Sequence, residues 1–148
     1  MRSVNQRHWG VVLKRQMLKA ASDIAAANNA AGLVTGDAVA QVSSQTLSNL
    51  NVVDRASNEV VLRPLISMDK ETIINIARDI GTEPFARTMP EYCGVISRKP
   101  ATRAKLHRVE EDEAAMDTRV LEQAIASRQD TPVNRLLETT RTPEEVEL

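Results

Sequence analysis

Apolar and polar positions along this chain follow two periods. From 10 to 28 the sequence runs GVVLKRQMLKAASDIAAAN without a proline, and Leu13, Met17, Ala20, Ala21 and Ile24 recur at helical spacing. That pattern predicts a helix with those residues on one face, stopped at Asn28-Asn29. The short apolar run 31–34, followed by Thr-Gly-Asp, reads as a buried strand giving way to a loop. SSQTLSNL at 43–50 opens a short helix capped by Ser43 or Ser44, and the polar stretch 51–58 reads as turn. EVVL at 59–62 is a second buried strand, stopped by Arg63-Pro64. The clearest helix is 69–80, where Ile73, Ile76, Ala77 and Ile80 form an i, i+3, i+4, i+7 stripe. Asp69 or Ser67 is its expected cap, and Gly81 stands where a left-handed terminal residue belongs. Residues 81–100 carry Pro84, Pro90, Gly94 and Pro100 and read as irregular. Helical patterns return at 101–109 and 118–127, with a weak terminal helix from Thr131.

The order helix, strand, short helix, strand, helix argues for βα units and a parallel sheet, hence an α/β fold. Two strands do not make a stable parallel sheet, because such sheets need several neighbours and cover on both faces. The expectation is therefore that these residues are part of a larger domain.

Composition narrows the class. Of 148 residues 42% are apolar and 26% charged, which fits a globular protein, and aromatics are reduced to one Trp, one Tyr and one Phe. The core is expected to be aliphatic. No apolar run approaches the roughly 18 residues that cross a bilayer, and the first residues lack a signal-peptide pattern, so no membrane association and a cytoplasmic location are expected. The single cysteine, Cys93, has no internal disulfide partner. The net charge of −1 hides an asymmetry: 1–108 carry 15 Lys or Arg against 9 Asp or Glu, and 109–148 carry 4 against 11. A basic body suits an anionic partner such as a nucleotide or RNA, although an ordinary solvated surface also fits it. The acidic remainder reads as a linker or helical tail.

Two stretches carry candidate chemistry. The loop after the first strand, Thr35-Gly36-Asp37 followed by Gln41 to Thr46, leaves the carboxyl end of a strand, where open α/β sheets bind ligands. Gly36 lets a ligand approach the backbone, and the Gln45 amide both donates and accepts. A plain strand-terminating turn with a capped helix is the alternative. The second stretch is Pro90 to Ser97, where Cys93 lies between Tyr92 and Gly94, close in sequence to Arg98 and Lys99. Such surroundings lower a thiol's pKa and make it nucleophilic, whereas a small buried hydrophobe is the competing role.

Three ordered stretches, GLVTGDAVAQVSSQTLSNL, LRPLISMDKETIINIARDIGT and FARTMPEYCGVIS, resemble the bacterial tRNA 4-thiouridine synthases. This family is also called the tRNA sulfurtransferases or thiamine-biosynthesis sulfurtransferases. The likeness covers about residues 10–105. It implies the C-terminal half of a Rossmann-like adenine-nucleotide α-hydrolase, or PP-loop, domain over 1–108, with an acidic helical linker or tail over 109–148. Family members also contain a ferredoxin-like region and an RNA-binding THUMP domain, and some add a rhodanese domain.

The resemblance implies an enzyme that uses ATP with Mg2+ to adenylate a tRNA uridine at O4. Sulfur from a protein persulfide, delivered by a cysteine desulfurase, then displaces AMP, and a role in thiamine thiazole synthesis goes with the family. By motif, Lys14, Gly36 and Gln45 are the expected nucleotide contacts. Lys70, in SMDKE, is expected to assist at phosphate or at the transition state, and its place in the first turn of a helix runs against the helix dipole. Cys93 matches the cysteine that attacks the persulfide sulfur, leaving a disulfide with a rhodanese cysteine. No metal-binding residues are expected.

The PP-loop signature Ser-Gly-Gly-x-Asp-Ser is not among these residues, and the sequence has no Gly-Gly pair. That loop supplies a nest of backbone N–H groups for pyrophosphate. The expectation is thus a chain inactive by itself that self-associates through an open sheet edge. The alternative is a non-catalytic subunit that docks on a partner through that edge. A 2-thiouridine synthase fits less well, because those enzymes use paired cysteines.

Overall fold

The computed structural model describes residues 4–89, 99–132 and 134–135. They divide into two compact units, Met1–Thr118 and Arg119–Leu148. In the first unit a single-turn 3₁₀ helix (Gln6–His8) leads into helix α1 (Trp9–Ala27), strand β1 (Gly32–Val34) and a second 3₁₀ turn (Ser43–Gln45). Helix α2 (Leu47–Asp54), strand β2 (Val60–Leu62), α3 (Lys70–Asp79), α4 (Glu83–Thr88) and α5 (Leu106–Ala114) follow. The second unit contributes α6 (Arg119–Ala126). Most of the terminal helix expected from Thr131 lies outside the described residues.

The strands pair in parallel, with Gly32 opposite Val60, Leu33 opposite Val61 and Val34 opposite Leu62. Leu33 and Val61 share the face that packs on the core. Val34, Val60 and Leu62, on the other face, are 70%, 65% and 55% exposed. Gly32 permits the close approach of the strands, since a Cβ there would lie 3.0 Å from the Val60 carbonyl oxygen.

The core is Val-dominated: Val4, Val11, Val12, Leu18, Val52, Val53, Ala104 and Val109, with Trp9, Leu106 and Met116 at its margin. α1 reaches it through Val11, Val12 and Leu18 and also buries Arg15 and Ala25, a stripe rotated from the one expected. Leu13 and Met17 of the expected stripe are 37% and 62% exposed. The periodicity missed the buried face because it contains a charge. Arg15 is 3% exposed and its Nε and Nη2 reach both carboxylate oxygens of Glu113 on α5, at 2.9 and 3.0 Å. Its Nη1 donates to the Val52 carbonyl at 2.6 Å. Lys19 and Gln16 also donate to Glu113, at 2.8 and 3.0 Å. Burial would raise the Glu113 pKa, but the bonds from Arg15 and Lys19 outweigh it and lower it.

Other boundaries move for local reasons. Thr46, not Ser43 or Ser44, caps α2, accepting from the Asn49 N–H, and the helix continues through 51–54 where a turn was expected. Val52 and Val53 there are core residues that draw the polar stretch into the helix. α3 begins after Asp69, whose side chain accepts from the Thr72 N–H, and ends at Gly81 with φ +75°. Residues 83–88, expected to be irregular, form α4 because Pro84 falls in its first turn, where its missing N–H costs nothing. Residues 101–105, expected to be helical, are not.

Candidate functional site

Both strands end at the same edge of the sheet, and the chain leaving each one carries a polar side chain to a common point. From β1 come Thr35 and Asp37; from β2 comes Arg63. Asp37 is 5% exposed and is the hub. Lys14 of α1 donates to its Oδ1 at 2.6 Å, and Gln45 Nε2 to the same oxygen at 2.9 Å. Thr35 Oγ1 and Arg63 Nε donate to Oδ2 at 2.9 and 3.3 Å. Arg63 also forks onto Asp54 at the end of α2. Burial alone would raise the Asp37 pKa, but the bonds from Lys14, Thr35 and Gln45 and the Lys14 charge hold it down at about 2.

Of these residues Lys14, Thr35, Asp37 and Gln45 face a cleft of about 370 Å³. Lys14, Thr35, Gly36, Asp37 and Gln45 line the polar side, and Met17, Leu18, Ala21, Val34 and Val53 the apolar side. Part of the α1 stripe expected in the core, Met17 and Ala21, is thus cleft wall. An apolar wall opposed by a few fixed polar groups is the ordinary make-up of a small-molecule site. A Cβ added to Gly36 meets no atom within 4 Å, and its φ is not in the left-handed region, so neither packing nor backbone demands glycine there. The loop beyond is pinned by Val39 N–H to the Ile66 carbonyl (3.0 Å) and Ala40 N–H to the Gln45 carbonyl (3.2 Å). Ala40 takes a positive φ of 64°, a conformation that costs a non-glycine residue about 1–2 kcal/mol.

The three expected nucleotide contacts, Lys14, Gly36 and Gln45, therefore line one cleft. Lys70 does not line it; it is the exposed first residue of α3. Cys93 lies outside the described residues. Asp37 appeared in the sequence only as part of a turn, and Arg63 only as a strand stop. The signal available for both was their position just past the ends of two strands. Among the described residues there is no group of three or more His, Cys, Asp or Glu able to hold a metal ion, and no helix long and apolar enough to cross a membrane.

A parallel α/β core with a cleft at the strand carboxyl ends is the arrangement of a Rossmann-like α/β protein. The chain belongs to the ThiI family: the model of "Thiamine biosynthesis protein (ThiI)" matches residues 1–118. It is 77% identical to a tRNA sulfurtransferase of Marinobacter nauticus over all 148 residues, which are 31% of that relative. A tRNA sulfurtransferase of Yersinia pestis is 48% identical over 141 residues, covering 95% of this chain and 29% of the relative. The chain thus spans about a third of the length of these curated relatives. Among solved structures it is similar to a 4-thiouridine synthetase–RNA complex with bound ATP, with a TM-score of 0.77 and 31% identity over 86% of this chain and 34% of that one.

Proposed function

We propose that this chain is the adenosine-binding and sulfur-handling portion of a tRNA uridine 4-sulfurtransferase. The observation that carries the reading is the meeting of Lys14, Gly36 and Gln45 in one cleft at the carboxyl ends of β1 and β2. The adenine ring fits between Met17, Leu18 and Val53, while Gln45 and the backbone at Gly36 address its polar edge and ribose. Lys14, partly exposed beside Asp37, offsets phosphate charge. Asp37 already accepts from four side chains, which makes it a scaffold for the wall rather than a magnesium ligand. Asp37 would therefore not hold the Mg2+ that accompanies ATP.

In this reading the uridine O4 attacks the α-phosphate and pyrophosphate leaves. Sulfur from a persulfide, supplied by a cysteine desulfurase, then displaces AMP. Lys70 assists at the phosphates; once the persulfide's outer sulfur is bonded to C4, the Cys93 thiolate attacks the inner, rhodanese cysteine sulfur, the S–S bond breaks to release 4-thiouridine, and the two cysteines are left oxidised as a disulfide for later reduction. Supply of thiamine thiazole sulfur is a second outlet of the same sulfur. Because the pyrophosphate-binding signature is not among these residues, the chain by itself is inactive in thiolation and holds ATP mainly by its nucleoside end, with Lys14 its one phosphate contact.

That split gives a test. About −0.3 kcal/mol per atom over the roughly 19 heavy atoms of adenosine gives about −6 kcal/mol, a Kd of roughly tens of micromolar. Calorimetry is expected to find adenosine, AMP and ATP binding this chain within a few-fold of one another near that value. Gly36→Val and Gln45→Ala are expected to abolish binding, while Gly36→Val leaves the melting temperature unchanged. Sub-micromolar ATP affinity, or variants that bind as the parent does, would overturn the reading.

A further inference from the structure

Between Tyr92 and Leu106 the sequence holds four Lys or Arg and no Asp or Glu. The described part of this run, 99–105, has no helix or strand, yet its backbone is tied at four points. The Ala101 N–H donates to the Arg7 carbonyl at 2.8 Å, and Thr46 Oγ1 to the Thr102 carbonyl at 2.7 Å. Asn49, wholly buried, donates from Nδ2 to the Ala101 carbonyl at 2.7 Å and accepts from the Ala104 N–H at 2.9 Å. Ala104 is buried in the core. The strap is therefore held from below while Lys99, Arg103 and Lys105 stand exposed above it.

None of these three has an ion-pair partner among the described residues. Stability does not account for them either. Lys105 occupies the N-cap position of α5 without a capping bond, and the first turn holds no acidic residue, so its charge opposes the helix dipole. A preorganised backbone presenting unpaired cations, without exposed aromatics between them, fits a polyanion gripped by its phosphates rather than by its bases. Through Asn49 the strap is also tied to the turn that forms part of the cleft wall. The second Nδ2 hydrogen of Asn49 goes to the Ser43 carbonyl, 2.7 Å away, in the turn that carries Gln45.

We infer that Lys99, Arg103 and Lys105 form a phosphate-docking strap for RNA that positions the substrate at the rim of the cleft. The inference rests on the reading of the chain as part of an RNA-modifying enzyme, and it adds the surface on which the RNA backbone sits. The test is fluorescence anisotropy of a labelled, unmodified tRNA transcript titrated with this chain between roughly 50 and 200 mM salt. Replacing Lys99, Arg103 and Lys105 together by Gln is expected to weaken binding at least about tenfold at low salt and to reduce the slope of log K against log salt by roughly 2 to 3. The charge-conserving set Lys99→Arg, Arg103→Lys and Lys105→Arg is expected to bind as the parent does. Removing two exposed cations elsewhere, Arg78→Gln with Arg87→Gln, is expected to change affinity by no more than about twofold. A Gln set with the parental slope, equal loss in the Arg78/Arg87 control, loss in the charge-conserving set, or no RNA binding by the parent would overturn the inference. The titration contains no nucleotide, so failure of the adenosine cleft leaves its outcome unchanged.

Discussion

Asp37 shows how much of the site rests on one carboxylate. Its pKa falls from 3.8 to about 2 on folding, so the stabilisation it gives is fully present above pH 3.8 and is lost as pH falls through about 2. That shift corresponds to about 2 kcal/mol at neutral pH. Urea melts of the parent and of Asp37→Asn should differ by about this amount at pH 7, with the gap closing between about pH 5 and pH 2. A gap independent of pH would show that the carboxylate's charge is not what matters. At this scale the residue types of Gly36 and Gln45 suited a ligand, and Lys14 was expected only from the family resemblance. The sequence did not reveal Arg63 as a partner of Asp37, because a contact across 26 positions depends on strand register.

Among the elements, what is local in cause was legible. Asp69 and Gly81 bracket α3 by capping chemistry that needs no other part of the molecule. β1 and β2 were readable as short apolar runs, and their parallel pairing followed from the helix between them. Elements whose form is set from a distance were not. The buried face of α1 contains Arg15 because Glu113 arrives 98 residues later. The strap at 101–105 has helical composition, but Asn49 takes up its peptide groups before they can bond one another.

In the first compact unit, the sheet exposes one whole face. Val34, Val60 and Leu62 stand out from it, and among the described residues no strand pairs with the outer edge of either β1 or β2. Contiguous apolar patches above a few hundred Å² on a soluble chain usually mark an interface, and open edges template further pairing. The chain is therefore expected to associate, with light scattering showing a mass that rises with concentration. Val60→Lys together with Leu62→Lys should return it to monomer. A parent that stays monomeric at every concentration would show that the face is tolerated in water.

The Asn49 anchor also has a consequence for time. Irregular, cation-rich segments are ordinarily the first places a protease enters, since cleavage needs the backbone to lift free. Here the peptide groups of Ala101, Thr102 and Ala104 are bonded to the fold, so lifting the strap means breaking several bonds together. Trypsin should therefore spare the bond after Arg103 although that side chain lies in the open, and the Ala104 amide should exchange with deuterium as slowly as those of α2. In Asn49→Ala the same bond should be cut many times faster, while a native-state cut at Arg103 in the parent would mean the strap opens by itself.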